Sequence, residues 1–283
     1  MIKRTVVLVV LLISTTYHGL WAQKPNRIIT AGSVLTEIVC ELGHCKEIVA
    51  SDQTSTYPPE IKSLPSIGYR TGIGPEGILS QDPTLILVQK GYVRETLADQ
   101  LANTGVAFYQ FEKPVSLEDT KKLIVEIGTL LGEEAKANAL IARMDKELSE
   151  VKDLLKKTAA RPKVVFIYAR GAGTQMIAGK ETFTENLIRL AGGEPAVDIT
   201  GYKPLNTEAL IVANPDYLLF GDDGLESVGG MAGASRIPGV DQTNAGRKQQ
   251  IIALDMVMMS NFGPRLPRAV KALALMIHPE IKS

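Results

Sequence analysis

The sequence predicts an exported α/β protein built of two similar lobes, each with a mostly parallel central sheet flanked by helices, joined by one long helix with a ligand cleft between the lobes. Three observations carry this expectation. The chain has 283 residues, more than one hydrophobic core usually organises. A segment recurs with identical spacing: Glu76, six positions to Asp82, then Pro83 and an apolar run to Val88, matched by Glu208, Asn214, Pro215 and an apolar run to Phe220. Between the two copies lies a stretch of helical character from Ser116 to Lys157. Strands alternating with helices imply α/β lobes.

Residues 1–22 read as an export signal. Lys3 and Arg4 precede an apolar run from Thr5 to Ile13, and Leu20-Trp21-Ala22 offers a small residue before the cleavage point at Gln23. That run is too short to span a bilayer, and no cysteine follows it to carry a lipid anchor, so the mature chain is expected to be exported and soluble. With 31 Lys and Arg against 31 Asp and Glu, the chain lacks the basic excess a nucleic-acid partner demands.

Arg27-Ile28-Ile29-Thr30 is a short buried strand, and Ser33 to Leu42 a helix closed by Gly43. Cys40 and Cys45 bracket that closure. In an oxidising compartment they are either a local disulfide, with Gly43 turning the chain between them, or two free thiols. A metal site using His44 as third ligand is the weaker alternative, because no second cluster completes its shell. Each Glu-to-Pro unit is a short amphipathic helix, a Pro-punctuated turn and a buried parallel strand. Ser116 followed by Glu118 and Asp119 starts a helix that Gly132 interrupts, and the pattern resumes from Ala135 to Lys157. The expected division is residues 23–133 for the first lobe, 134–160 for the linking helix and 161–283 for the second lobe. The second lobe opens with a strand at Lys163–Tyr168 and a helix from Thr182 to Ala191 closed by Gly192-Gly193.

Gly68-Tyr69-Arg70 and Gly201-Tyr202-Lys203 form a second repeated element. Each precedes its Glu-bearing helix by nearly the same interval, so the pseudo-symmetry brings a phenol and a cation from each lobe to the opening. Clefts between lobes are common ligand sites.

Several segments together resemble the periplasmic haem-binding proteins of bacterial ABC importers. They are Arg27-Ile-Ile-Thr, Thr36-Glu37, Asp52-Gln53-Thr54-Ser55-Thr56-Tyr57-Pro58-Pro59, Leu64-Pro65-Ser66-Ile67-Gly68-Tyr69, Glu76 to Ser80, Met176 to Gly179, Gly201-Tyr202-Lys203-Pro204 and Phe262-Gly263-Pro264-Arg265. The bilobal plan is shared with vitamin B12 and siderophore binders. The resemblance implies a carrier that binds haem b as transported ligand, with no catalytic cofactor, and passes it to an inner-membrane permease. It implies Tyr69 as axial ligand to ferric iron, since phenolate is a hard anionic donor. Tyr57, Arg70, Tyr168, Arg170, Met176, Tyr202, Lys203, Met258 and Arg265 are the further cleft candidates, the cations to lower the phenol's pKa or to meet haem propionates. Glu76 and Glu208 are implied as docking residues for arginines of the permease.

A monomer that performs no reaction is the expectation. Same-fold carriage of cobalamin or a ferric siderophore is the alternative, and an exported hydrolase a remoter one. The glycine clusters complete no dinucleotide or phosphate loop, and no Gly-x-Ser-x-Gly elbow occurs. Zinc or manganese carriage is disfavoured, because only His44 and His278 remain after the leader is removed.

Overall fold

The computed structural model describes residues 26–171 and 173–281, and the proposed leader at 1–22 lies outside the described residues. In chain order the first half contains β1 (Ile28–Ala31), α1 (Ser33–Glu41), β2 (Ile48–Ser51), α2 (Pro75–Leu79), β3 (Leu85–Gln89), α3 (Glu95–Ala102), β4 (Ala107–Phe111) and α4 (Leu117–Leu131). A helix α5 (Glu134–Leu155) follows. The second half contains β5 (Lys163–Arg170), β6 (Thr174–Ala178), α6 (Phe183–Leu190), β7 (Glu194–Pro195), β8 (Tyr202–Pro204), α7 (Thr207–Ala213) and β9 (Tyr217–Gly221). It closes with α8 (Asp222–Ser227), α9 (Gly230–Ala234), α10 (Asn244–Arg247), β10 (Ile251–Leu254), α11 (Met256–Ser260) and α12 (Leu266–Ile277).

The first sheet has the order β2-β1-β3-β4 with every pairing parallel. Its strands are apolar on both faces, as a parallel sheet covered by helices requires. Ile28, Leu85 and Leu87 enter a core with α1, α4 and α5, whereas Ile29, Ile86 and Val88 enter a second core with Ile78, Leu97 and Leu101. The second sheet runs β10-β9-β5-β6-β8 and is mixed. β5 pairs parallel with β9, but β6 returns antiparallel on β5 and β8 pairs antiparallel with β6. Val164 and Phe166 face one core, Val165 and Ile167 the other.

The helix-to-strand repeat has the same backbone in both halves. Asp82 and Asn214 are left-handed, with φ of 47° and 40°, conformations that Asp and Asn tolerate better than most side chains. Asn214 caps α7 directly, whereas α2 ends at Ser80 and Asp82 follows two residues later; in both the next proline starts the run into β3 or β9.

Ser116 starts α4 by a reciprocal cap. Its hydroxyl oxygen accepts from the Asp119 amide at 3.1 Å and donates to the Asp119 carboxylate at 2.7 Å. Those bonds hold the Asp119 carboxyl below the usual carboxylate range. Gly132, at φ 69°, ends the helix in the left-handed conformation. The apolar stripe of α5 is then shared: Ala137, Leu140 and Met144 pack with Ile28 and Leu85 in the first half, Leu148 and Val151 with Val164 and Phe166 in the second. A heptad-like stripe is thus covered within the chain.

The halves also meet through a buried polar bracket. Glu37 on α1 accepts two bonds from the Arg265 guanidinium, at 2.7 and 3.0 Å, with Glu37 at 2% exposure and Arg265 at 8%. Asn261 donates to Glu37 at 3.2 Å and accepts from the Ser33 hydroxyl at 2.7 Å. The Thr120 hydroxyl donates to the Phe262 carbonyl, and the Asn186 amide to the Val115 carbonyl at 2.9 Å. Removing one partner of a buried pair strands the other charge. Glu37→Leu should therefore lower stability by about 3 kcal/mol, measured as a drop in the denaturant midpoint.

Candidate functional site

A cavity of about 540 Å³ opens between the halves, within the ordinary size range of small-molecule sites. Arg70, Lys113 and Val115 line it from the first half. Tyr168, Met176, Thr182, Phe183, Tyr202 and Met256 are among its residues from the second. The loops after β2 and β4 bring the first set, and the β5-β6-β8 ribbon with α11 brings the rest.

Tyr69 stands at the mouth of this cleft and is 43% exposed. Gly68 before it has φ 108°, and Arg70 after it is left-handed at φ 45°. A short 3₁₀ turn over Arg70–Gly72 follows, held by the Arg94 Nε, which donates to the Thr71 carbonyl at 2.8 Å. A non-glycine residue at positive φ in such a loop is a strained position of the kind that collects at binding sites. The Arg70 guanidinium lies 5.5 Å from the Tyr69 ring centroid and 5.2 Å from that of Tyr92.

Arg170, at the end of β5, reaches toward this loop from the other half. Its Nε donates to the Tyr168 hydroxyl. Hydrogen bonding to Tyr168, and then to Tyr69, holds its guanidinium in the charged form. The Tyr168 hydroxyl is thus bonded to a permanent cation at the cleft opening.

Tyr202 differs from Tyr69 in spite of the repeated Gly-Tyr-basic tripeptide. Its segment is drawn into β8, where Tyr202 pairs with Ala178. The ring meets Tyr168 edge to face at 6.5 Å. Burial, and secondly the Tyr168 phenol, pushes its hydroxyl pKa up. It supplies an apolar wall with a neutral hydroxyl. Strand alternation sends Lys203 to the opposite side of β8 from Tyr202, and it is exposed outside the cleft lining.

Three other candidates are placed away from the opening. Arg265 is buried against Glu37 and has Asp255 at 3.8 Å, so its charge already has carboxylate partners. Tyr57 lies under that guanidinium, 4.1 Å from it, and forms part of the bracket. Met258 packs on the second core while Met256, two residues earlier, lines the cleft. Lys113 and Tyr92 were not singled out in the sequence. Lys113 sits in a Lys-Pro loop before α4, and Tyr92 in a Gly-Tyr-Val turn after β3, and neither has a counterpart in the repeat. Burial raises the Tyr92 phenol pKa.

Glu76 and Glu208 are exposed in the first turns of α2 and α7, where a carboxylate also favours the helix dipole. Cys40 and Cys45 are joined in a disulfide with a Cα–Cα distance of 4.0 Å, leaving no thiolate for a metal. His44 pairs with Glu133 at 3.1 Å, and His278 is fully buried at the far end of the second half. Among the described residues no group of three or more His, Cys, Asp or Glu side chains could hold a metal ion. No helix among them is long and apolar enough to cross a membrane.

A family model described as periplasmic binding protein matches residues 28–257. Among solved structures, the periplasmic heme-binding protein RhuT from Roseiflexus sp. RS-1, in apo form, superposes with a TM-score of 0.86 at 36% identity, covering 91% of this chain and 99% of that one. The periplasmic heme-binding protein BhuT in complex with two hemes gives a TM-score of 0.85 at 32% identity, covering 90% and 99%. Among sequence relatives, a cobalamin-binding protein of Halobacterium salinarum is 26% identical over 264 residues, covering 90% of this chain and 70% of the relative. By sequence and by shape, the chain belongs to the periplasmic binding protein family, alongside the substrate-binding proteins of haem ABC importers.

Proposed function

We propose that this protein is a periplasmic carrier that binds haem b in the interlobe cleft, with Tyr69 as axial ligand to ferric iron, and delivers it to an inner-membrane ABC permease. The proposed division is a first lobe at 23–133, a linking helix at 134–160 and a second lobe at 161–283. The carrying observation is the exposed Tyr69 at the mouth of the interlobe cleft, with Tyr168 and the Arg170 bonded to it on the facing half. A ferric ion's own charge favours ionisation of a ligating phenol, and Arg170 adds a cation at the same opening. Exposure leaves the Tyr69 oxygen free to meet a ligand, whereas burial keeps Tyr202 protonated. The apolar wall of Met176, Phe183, Tyr202 and Met256 suits a porphyrin face. Each 100 Å² of apolar surface buried there contributes about 2.5 kcal/mol before any iron bond forms.

A same-fold carrier of cobalamin is the second reading, supported by the Halobacterium relative. The matches to heme-binding structures cover at least as much of this chain and more of the other at higher identity, and an exposed phenol at the cleft mouth favours ferric haem. Carriage without chemistry fits the family, whose similar solved structures are heme-binding proteins.

Hemin titrated into the purified protein should give a ferric-tyrosinate spectrum, and Tyr69→Phe should lose that spectrum and weaken binding at least tenfold. Cobalamin binding tightly with no haem spectrum would redirect the assignment. In an ultraviolet pH titration of the empty protein, Tyr202 should ionise later than the exposed tyrosines, and Tyr202→Phe should remove one of the latest steps.

Glu76 and Glu208 are proposed to dock on arginines of the permease. They occupy matching positions in the two halves, on surface turns whose separation the packed lobes fix, and such charges orient a partner and raise its on-rate. Charge reversal at either should cut haem uptake in reconstituted vesicles about tenfold while leaving the hemin Kd unchanged.

A further inference from the structure

The segment that presents Tyr69 is held at both ends. Ile67 and Ile73 flank it and are buried in the core that also contains Ile86 and Leu97. The Gly68 carbonyl accepts from the Gln53 amide at 2.9 Å, and the Gly72 and Ile73 amides donate to the Tyr69 and Arg70 carbonyls at 3.0 and 2.9 Å. These contacts fix the backbone and leave the direction of the Tyr69 ring to its neighbours. The neighbours come from the turn after β3. Tyr92 follows Gly91, whose φ of 80° reverses the chain, and the Tyr92 amide donates to the Gln89 carbonyl at 3.0 Å. Tyr92 is buried in the same core as Ile67 and Ile73, so its ring has a fixed place. The Arg70 guanidinium lies between that buried ring, 5.2 Å away, and the open ring of Tyr69, 5.5 Å away. Two residues beyond Tyr92, the Arg94 Nε donates to the Thr71 carbonyl at 2.8 Å, inside the 3₁₀ turn that follows Tyr69. Arg70 at φ 45° needs such support, because a non-glycine residue in the left-handed region persists only where its surroundings hold it.

Resting on the reading of Tyr69 as the iron ligand, we propose that Tyr92 and Arg94, on the turn after β3, are positioning residues that hold the Tyr69 phenol ready at the cleft mouth. Tyr92 acts through the Arg70 guanidinium, which is attracted to the faces of both rings. Arg94 acts through the turn that carries Arg70. A phenol restricted before haem arrives loses less freedom on ligation, so the complex is tighter than one formed by a freely turning side chain. In the second half the pairing of β8 does the holding instead, and there it turns Tyr202 into wall.

The test uses the full mature protein with hemin as probe, in Tyr92→Leu, Tyr92→Phe and Arg94→Met, each made also in the Tyr69→Phe background. Loss of one ring from the stack should weaken hemin about fivefold in Tyr92→Leu, whereas Tyr92→Phe keeps the ring and should stay within about twofold of the wild type. Arg94 is exposed, so Arg94→Met leaves the core intact, and it should weaken hemin about fivefold. Both weakened variants should shift the ferric-tyrosinate band, and neither should weaken hemin further once Tyr69 is replaced by Phe. An unchanged band and Kd in either variant overturns the role of that residue and leaves the haem reading standing. A defect in Tyr92→Phe equal to that in Tyr92→Leu overturns the ring stack. Weakening of the same size in the Tyr69→Phe background overturns the inference as a whole, because the residues then act on the fold and not on the phenol. If Tyr92→Leu does not fold, Arg94→Met decides by the same criteria. Wild-type protein that binds hemin with no tyrosinate band overturns the ligand assignment and this inference together.

Discussion

The arrangement of the cleft depends on a buried ion pair between halves of the chain that are far apart in sequence. Glu37 belongs to the first helix and Arg265 to the turn before the last, and their bidentate contact is sealed from water on both sides. Such a pair contributes little net stability relative to well-packed apolar residues, because both charges had to leave water. Its geometric consequence is larger. It ties α1 to the segment that carries α11, whose Met256 and Ser260 form part of the cleft wall. With α5 packed into both cores, the lobes have two separate constraints on their relative placement. Tyr69 and Arg170 meet across the gap because of them.

The two halves began as one layout and diverged where the ligand is expected. Their Glu-helix, left-handed Asp or Asn, proline and strand are the same object twice. The Gly-Tyr-basic tripeptides are not. In the first half the tripeptide stays in a loop, strained at Arg70, with its phenol open to solvent. In the second half a strand pairs with the β5-β6 hairpin and draws Tyr202 under Tyr168. The first copy thus leaves its phenol open to solvent, and the second becomes part of the wall.

Electrostatics assigns different work to cations of the same kind. Arg265 is neutralised by Glu37 and carries the fold. Arg170 bonds the Tyr168 hydroxyl at the cleft opening. Arg70 stacks between two tyrosine rings, with no acid beside it. Composition counts all three alike, and a net charge of zero conceals a locally positive cleft.

Much of the fold was legible from the chain alone because its signals are local. The paired Asp-Pro and Asn-Pro turns, the Ser116 cap, Gly132 and the apolar runs of β3, β5 and β9 act through neighbours a few residues away. Tyr69 stands out in the sequence through the repeated Gly-Tyr-basic motif, and the proposal of it as ligand starts there. The division of labour among the other candidates was not legible there. Whether Arg265 faces a ligand or Glu37 depends on a contact between residues 37 and 265. Whether Tyr202 is exposed depends on the strand that pairs beside it, and Lys113 enters the cleft only because β4 and α4 turn their connecting loop toward it. The sequence by itself determined which residues could ligate, cap or pair; tertiary structure decided which did. Burial and long-range pairing set the charge state and accessibility of a side chain, and neither is a property of its immediate neighbours in the chain.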